Sequence, residues 1–306
     1  MTLKQIGIDV TLPAARALVR YCPWQPARRF AWDRCVSPFY AWRDHRFEAK
    51  TDFGATMAGN TGDLIQKYVY YFGSWEPNIS RWIASRLNPG DTFVDVGANV
   101  GYFSLLAASR TTASGRVIAI EACPEIFAQL QDNCRRNSYT NIRAINVAAS
   151  DQPGTLRLYR GGNENGGSTT TIATAEGGQS YSDITALPLS GILSPEECSR
   201  MRLIKIDVEG AEYNVLKGAA PIFEHAPQNL EILVELHPTL LAAQNKTIKD
   251  VFQLMSSHGF HVYCFPDFCS TGSYFNGTRP VQLQRMRRPS DVIESVVFSR
   301  VDRDHL

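Results

Sequence analysis

The stretch VDVGANVGYF, residues 94–103, decides how the rest of the chain is read. An apolar strand ends at Asp95, and Gly97 and Gly101 follow before an apolar helical pattern begins. A dinucleotide-binding turn has the form G-x-G-x-x-G, and its second Gly lets the backbone approach a pyrophosphate. Asn99 stands where that second Gly belongs, so the close approach a diphosphate needs is missing. A tight turn at Gly97, a helix N-terminus and a strand-end carboxylate remain. That carboxylate repels phosphate and favours a cationic ligand.

Outward from the turn, the chain alternates. The helix GYFSLLAASR is followed by a strand, GRVIAIEA (115–122), and by the helix PEIFAQLQDNCRRN, opened by Pro124. IRAINVAAS (142–150) is a third strand. This βαβαβ rhythm predicts a parallel sheet with helices on both faces. Residues 151–200 interrupt it with GTLRLYR, a Gly-rich loop and ITALPLSGIL, which together read as an inserted hairpin near the carboxyl edge. RLIKIDV (202–208), the helix GAEYNVLKGAAPIF, LEILVELH (230–237) and a helix around 246–257 resume the alternation. FHVYCF (260–265) and VIESVVFS (292–299) suit an antiparallel closing pair. Upstream, EPNISRWIASRL reads as a helix with Ile79, Trp82, Ile83 and Leu87 on one side. Residues 51–75, with the aromatic run YVYYFGSW, read as short strands and turns. Residues 1–50 read as helical and irregular, with Leu12, Ala15, Leu18, Val19 and Cys22 on one helical face. The expected division is an N-terminal extension over 1–75 and a main domain over 76–306, with an insertion at about 152–200.

Composition sets the outer limits. Of 306 residues, 44% are apolar and 20% charged, enough to bury a real core. The net charge of +1 gives no electrostatic case for a nucleic-acid partner. Residues 1–50 hold nine Lys and Arg against four Asp and Glu, and RMRRP adds Arg285, Arg287 and Arg288. A solvated basic surface is the first reading of these clusters, and a patch for anionic lipid or glycan the second. Seven cysteines without a CxxC pair suggest reduced thiols rather than a zinc framework. No apolar run approaches the roughly 20 residues of a membrane span, and the N-terminus lacks a signal-peptide pattern. A cytoplasmic location is expected.

Four strand ends carry the chemistry. Glu121, 20 residues beyond Gly101, is placed to accept hydrogen bonds from two ribose hydroxyls, which argues for an adenosine-type ligand without a diphosphate. Ser150 and Asp151 end the third strand, where they can accept from an exocyclic amine. IKIDVEGAE brings Lys205, Asp207, Glu209 and Glu212 to the fourth strand end. If that strand continues, Asp207 and Glu209 face the same side. Glu209 and Glu212 equally suit an N-cap and a first helical turn. In VELHP, Glu235 and His237 end the fifth strand, and His237 is either a general base or a satisfied edge residue. No metal is expected; one would need Asp207, Glu209 and His237 to converge.

Together these motifs resemble the FkbM family of S-adenosylmethionine-dependent methyltransferases. FVDVGANVGYFSLLAA, VIAIEACPEIFAQLQDN, NVAASD, GGST, IKIDVEGAE and VELHP follow that family's order over roughly residues 70–240. The resemblance implies a Rossmann-like, seven-stranded, mostly parallel sheet whose last strand is antiparallel, and S-adenosylmethionine as cofactor. It implies that Asp95, Gly97, Asn99 and Gly101 hold the methionyl part, and that Glu121 binds the ribose with Ala122 beside it. Ser150 and Asp151 would edge the adenine, and Glu76 and Tyr71, from YFGSWEP, would close over the amino acid end. Asp207 and Glu209 would face the sulfonium and the acceptor. The implied reaction is O-methylation of a hydroxyl on a glycan or secondary metabolite, with Asp207 or His237 as base. The expected partner is thus a small-molecule or glycan acceptor and no nucleic acid, with room for peripheral membrane contact and a homodimer. N-methylation of a nucleic-acid or small-molecule amine is one alternative. Nucleic-acid enzymes of that kind carry Asn or Asp before Pro-Pro and an aromatic, where this chain reads Asp207-Val208-Glu209-Gly210. A non-catalytic cofactor-binding module is another. A nicotinamide-dependent oxidoreductase would need the Gly that Asn99 replaces. Residues 1–50 and 266–290, where acceptor choice would lie, are not diagnostic.

Overall fold

A computed structural model describes residues 13–38, 45–160, 169–172, 180–265, 271–275, 281–287 and 295–306. The chain divides into two compact units, Met1–Ser80 with Cys269–Arg279, and Arg81–Phe268 with Pro280–Leu306.

In the first unit, residues 13–21 are helical, and the helix Gln25–Phe30 runs into a π-helical turn, Ala31–Val36. Val19 is fully buried, but Leu18 is exposed, so the apolar face is narrower than the sequence pattern suggests; Leu12 lies outside the described residues. Strands β1 (Arg46–Lys50) and β2 (Thr56–Asn60) form an antiparallel hairpin. Residues 51–75, expected as short strands and turns, hold the strand β2 but, over the aromatic run, a helix, Leu64–Phe72. Its aromatic residues favour strands in isolation, but its ends override them. Asp63 caps it by accepting from Gln66 N at 2.9 Å, and Gly73 stops it in the left-handed region at φ 81°. The helix buries Tyr70, Tyr71 and Phe72 in an aromatic core with Trp32, Phe47 and Phe275.

The second unit carries an eight-stranded sheet in the order β13-β12-β14-β11-β10-β3-β4-β5. Its strands are β3 (Thr92–Val96), β4 (Arg116–Ile120), β5 (Ile142–Ile145), β10 (Met201–Ile206), β11 (Glu231–Glu235), β12 (His261–Cys264), β13 (Gln284–Arg285) and β14 (Ser295–Ser299). The strands β11-β10-β3-β4-β5 are parallel, and β14 lies antiparallel between β11 and β12. The seven strands expected are joined by one more, the two-residue edge strand β13. Burial on both faces explains why β3, β4, β10 and β11 read as continuous apolar runs. Val94, Ile118, Ile204 and Ile232 pack with Val215, Leu216 and Phe223 of helix Glu212–Phe223 and with Val251 and Met255 of helix Ile248–Ser257. Ala119, on the opposite side of β4, packs against Leu130 of helix Pro124–Arg135.

The third strand, expected over 142–150, is split. Asn146 Nδ2 donates to the carbonyls of Glu121 (2.8 Å) and Ala122 (2.9 Å). The chain turns there, and β6 (Ala148–Ala149) joins a second sheet, in the order β6-β9-β7-β8, with β7 (Gly154–Arg160), β8 (Thr169–Thr170) and β9 (Ser180–Leu187). β7 and β9 form the expected inserted hairpin; most of its Gly-rich loop lies outside the described residues. Among the described residues, no helix is long and apolar enough to cross a membrane.

The chain runs from β3 outward through β4 and β5, then returns to the other side of β3 with β10. The order therefore reverses between β3 and β10, and their carboxyl ends open a crevice of the kind that binds ligands in such sheets.

Candidate functional site

The first wall of the crevice is the turn after β3. Gly97 (φ 77°), Asn99 (φ 49°) and Gly101 (φ 90°) are all left-handed. A Cβ on Gly97 would overlap the carbonyl oxygen of Asp207, so the position needs Gly for both conformation and space. The Gly97 and Ala98 amides donate to Ile120 O, each at 2.9 Å. Asn99 N donates to Glu121 Oε2 at 2.8 Å, and Cys123 N donates to Glu121 Oε1 at 2.9 Å. Each oxygen of Glu121 thus keeps a lone pair for a further donor. Burial pushes this carboxyl up to about 7.

Asp95 lies beneath the turn, fully buried. Its Oδ2 accepts from Ser104 Oγ at 2.6 Å, and burial pushes its pKa up to about 6 against the pull of Lys205. This carboxylate thus already faces a cation of the protein's own, Lys205. Lys205 is the register neighbour of Asp95 across β3 and β10. Its Nζ lies 2.9 Å from Asp207 Oδ2. Burial lowers the pKa of this ammonium, but Asp207 and Asp95 more than offset it, and the net shift is upward.

The second wall is the turn after β10. The strand stops at Ile206, so Asp207 and Glu209 do not share a side through strand alternation as expected. Glu209 instead takes φ 51° and Gly210 φ 106°. Thr170 Oγ1 donates to Glu209 O at 2.6 Å, and Gly210 N to Glu212 Oε1 at 2.7 Å. This turn and the end of β11 bring single ligand-type atoms of Asp207, Glu209 and His237 within 4.8 Å of one another. His237 Nε2 is 3.5 Å from Glu209 Oε2 and 3.8 Å from Glu235 Oε1. Glu212 is buried in the first helical turn, and burial pushes its pKa up to about 8.

Ser150 and Asp151 follow β6. Ser150 is buried, and Asp151 Oδ2 pairs with Lys217 Nζ at 2.8 Å, a hydrogen bond that holds its carboxyl below the usual range. Ala122, half-buried, has its carbonyl held by Asn146. Tyr71 and Glu76 belong to the first unit: Tyr71 is fully buried beside Trp32, with ring centroids 5.5 Å apart, and Glu76 has φ 41° and donates its N–H to the Tyr274 hydroxyl at 3.0 Å. Sequence reasoning missed Ser104 and Asn146, which hold Asp95 and the end of β4. A polar residue at a strand break was the available signal for Asn146.

A family model described as the methyltransferase FkbM domain matches residues 95–262, more than half of the chain, and begins at the Asp95 turn. The chain belongs to the FkbM methyltransferase family. It is 31% identical over 159 residues to methyltransferase sdnD of Sordaria araneosa, across 42% of this chain and 61% of that protein. It is 28% identical over 210 residues to 31-O-demethyl-FK506 methyltransferase FkbM of Streptomyces tacrolimicus, across 59% and 76%. It is 25% identical over 182 residues to hexuronic acid methyltransferase AglP of Haloferax volcanii, across 59% and 68%. The chain thus spans about three-fifths to three-quarters of these relatives. Members of this family take their methyl group from S-adenosylmethionine, and the two-oxygen acceptor at Glu121 is compatible with the paired hydroxyls of its ribose.

Proposed function

We propose that the chain methylates a hydroxyl oxygen on a glycan or natural-product acceptor. The observation that carries this reading is the convergence of Asp207, Glu209 and His237 beside the Gly97 turn. Gly97, Asn99 and Gly101 take the methionyl part of the cofactor, over Asp95. Glu121 and Ala122 take the ribose, and Ser150 and Asp151 take the adenine edge. When bound, S-adenosylmethionine supplies an electrophilic methyl on sulfur and leaves as a neutral thioether.

The protein's part is to hold the acceptor oxygen in line, about 3 Å from that methyl, and to take its proton. Asp207 is the first candidate for that base and His237 the second, with Glu209 orienting the imidazole. Lys205 occupies Asp207 Oδ2, and the side chain, 29% exposed, keeps Oδ1 for the acceptor. The names of two relatives, a 31-O-demethyl-FK506 methyltransferase and a hexuronic acid methyltransferase, support an oxygen acceptor.

Asp207→Asn keeps the size of the side chain and removes the base. Methyl transfer from labelled cofactor should fall at least 100-fold, while calorimetric binding of S-adenosylhomocysteine changes less than about threefold. Full turnover in this variant ends the assignment of Asp207.

A further inference from the structure

Around His237, one end of the sheet gathers negative charge. Asp207, Glu209 and Glu235 surround the imidazole, while Lys205 already serves both Asp207 and Asp95. The ligand-type atoms of Asp207, Glu209 and His237 all lie within 4.8 Å of one another. A cation with ligands at about 2.1 Å places adjacent ligand atoms about 3 Å apart. His237 Nε2 and Glu209 Oε2, at 3.5 Å, are near that spacing, and an Asp207 oxygen lies within 4.8 Å of both residues' ligand atoms. His237 Nε2 is itself shielded from solvent and makes no hydrogen bond within the described residues. Asp207 and Glu209 expose 29% and 35% of their side chains, so a solvated ion meets the carboxylates first and the shielded Nε2 only on losing water.

We propose that Asp207, Glu209 and His237 bind a divalent cation of the magnesium or manganese type. Two carboxylates and one imidazole give a mixed set, harder than a zinc thiolate site and suited to six-coordination. Three protein ligands leave three positions open. Two adjacent acceptor oxygens, as in a vicinal diol or a hydroxy acid, fill two of them. This last step rests on the methyl-transfer reading and refines it: Asp207 becomes a ligand rather than the base, and the acceptor hydroxyl, acidified by the metal it would bind, gives its proton to solvent as its oxygen takes the methyl and the carbon–sulfur bond breaks. Lys205 stays on Asp207 Oδ2, and Glu235 Oε1 lies 3.8 Å from the ligating nitrogen.

The probe is Mn2+ added to full-length protein that has been treated with chelator and desalted. Free Mn2+ is followed by electron paramagnetic resonance, with S-adenosylhomocysteine binding measured on the same samples. The expected result is one saturable Mn2+ per chain. Glu209→Gln and His237→Gln should each raise its Kd at least tenfold, with nucleoside binding and Tm unchanged. No saturable binding to the wild type, or equal binding by both variants, overturns the site. Failure of the wild type to bind S-adenosylhomocysteine overturns the methyl-transfer reading instead, and leaves the Mn2+ result standing on its own.

Discussion

Glu121 ties the cofactor turn to pH. Its carboxyl is raised to about 7 by burial, well above the ordinary 4.5. Ribose hydroxyls donate to the ionised form, so binding draws the pKa down and releases a proton near neutrality. Affinity for S-adenosylhomocysteine should weaken by up to about tenfold per pH unit below pH 7, and Glu121→Gln should flatten that dependence while weakening binding. Calorimetry at several pH values in two buffers reads both effects. The same shift acts on the ligand-free fold with the opposite preference. A raised folded pKa gives a contribution that is whole below 4.5 and lost as pH rises through about 7. The wild type should therefore lose stability relative to Glu121→Gln across that window. At Gly97 the constraint is steric: Gly97→Ala should cost about 3 kcal/mol or more, read by urea unfolding, because the added methyl meets backbone rather than a movable side chain.

Buried charge links two neighbouring elements, β3 and β10, through Lys205 and Asp95 in register. Replacing Lys205 with Met leaves carboxylates without their cation, a loss of about 3–5 kcal/mol at pH 8. At pH 5 the loss should be smaller, because Asp95, already raised to about 6, takes up a proton; equal losses at the two pH values would refute this coupling. These strands were legible because burial on both faces writes them as apolar runs, and the Gly97 turn because only a few residue types tolerate its conformation. The break at Asn146 and the helix Leu64–Phe72 were hidden. One depends on a side chain reaching two carbonyls of another strand, and the other on caps that outweigh aromatic strand preference. In the site, the positions of Asp207, Glu209 and His237 could be read from strand ends, but their convergence could not. It depends on the strand ending at Ile206 and on Glu209 then taking φ 51°. Asp63→Ala should cost the helix about 1 kcal/mol, measured as a shift in Tm.

Across the whole molecule, the six described cysteines are free thiols. Cys35 is exposed, while burial pushes the Cys134 thiol up to about 11. Ellman's reagent at pH 8 should therefore label Cys35 at once and Cys134 only on unfolding, and a phosphine reductant should leave Tm unchanged; a fall in Tm would mean a disulfide. The division into units also fixes an order in time. The first unit takes Phe275 into its core from the segment Cys269–Arg279, and the sheet of the second receives β14 between β11 and β12. A ribosome releases the amino-terminal residues first, yet their core has to wait for residue 275, and the sheet for residues 295–299. Neither unit is complete until residues 275 and 295–299 have emerged, so a ribosome stalled before residue 270 leaves both cores open. Chaperone demand should follow the emergence of residues 275 and 295–299 rather than the length of the nascent chain.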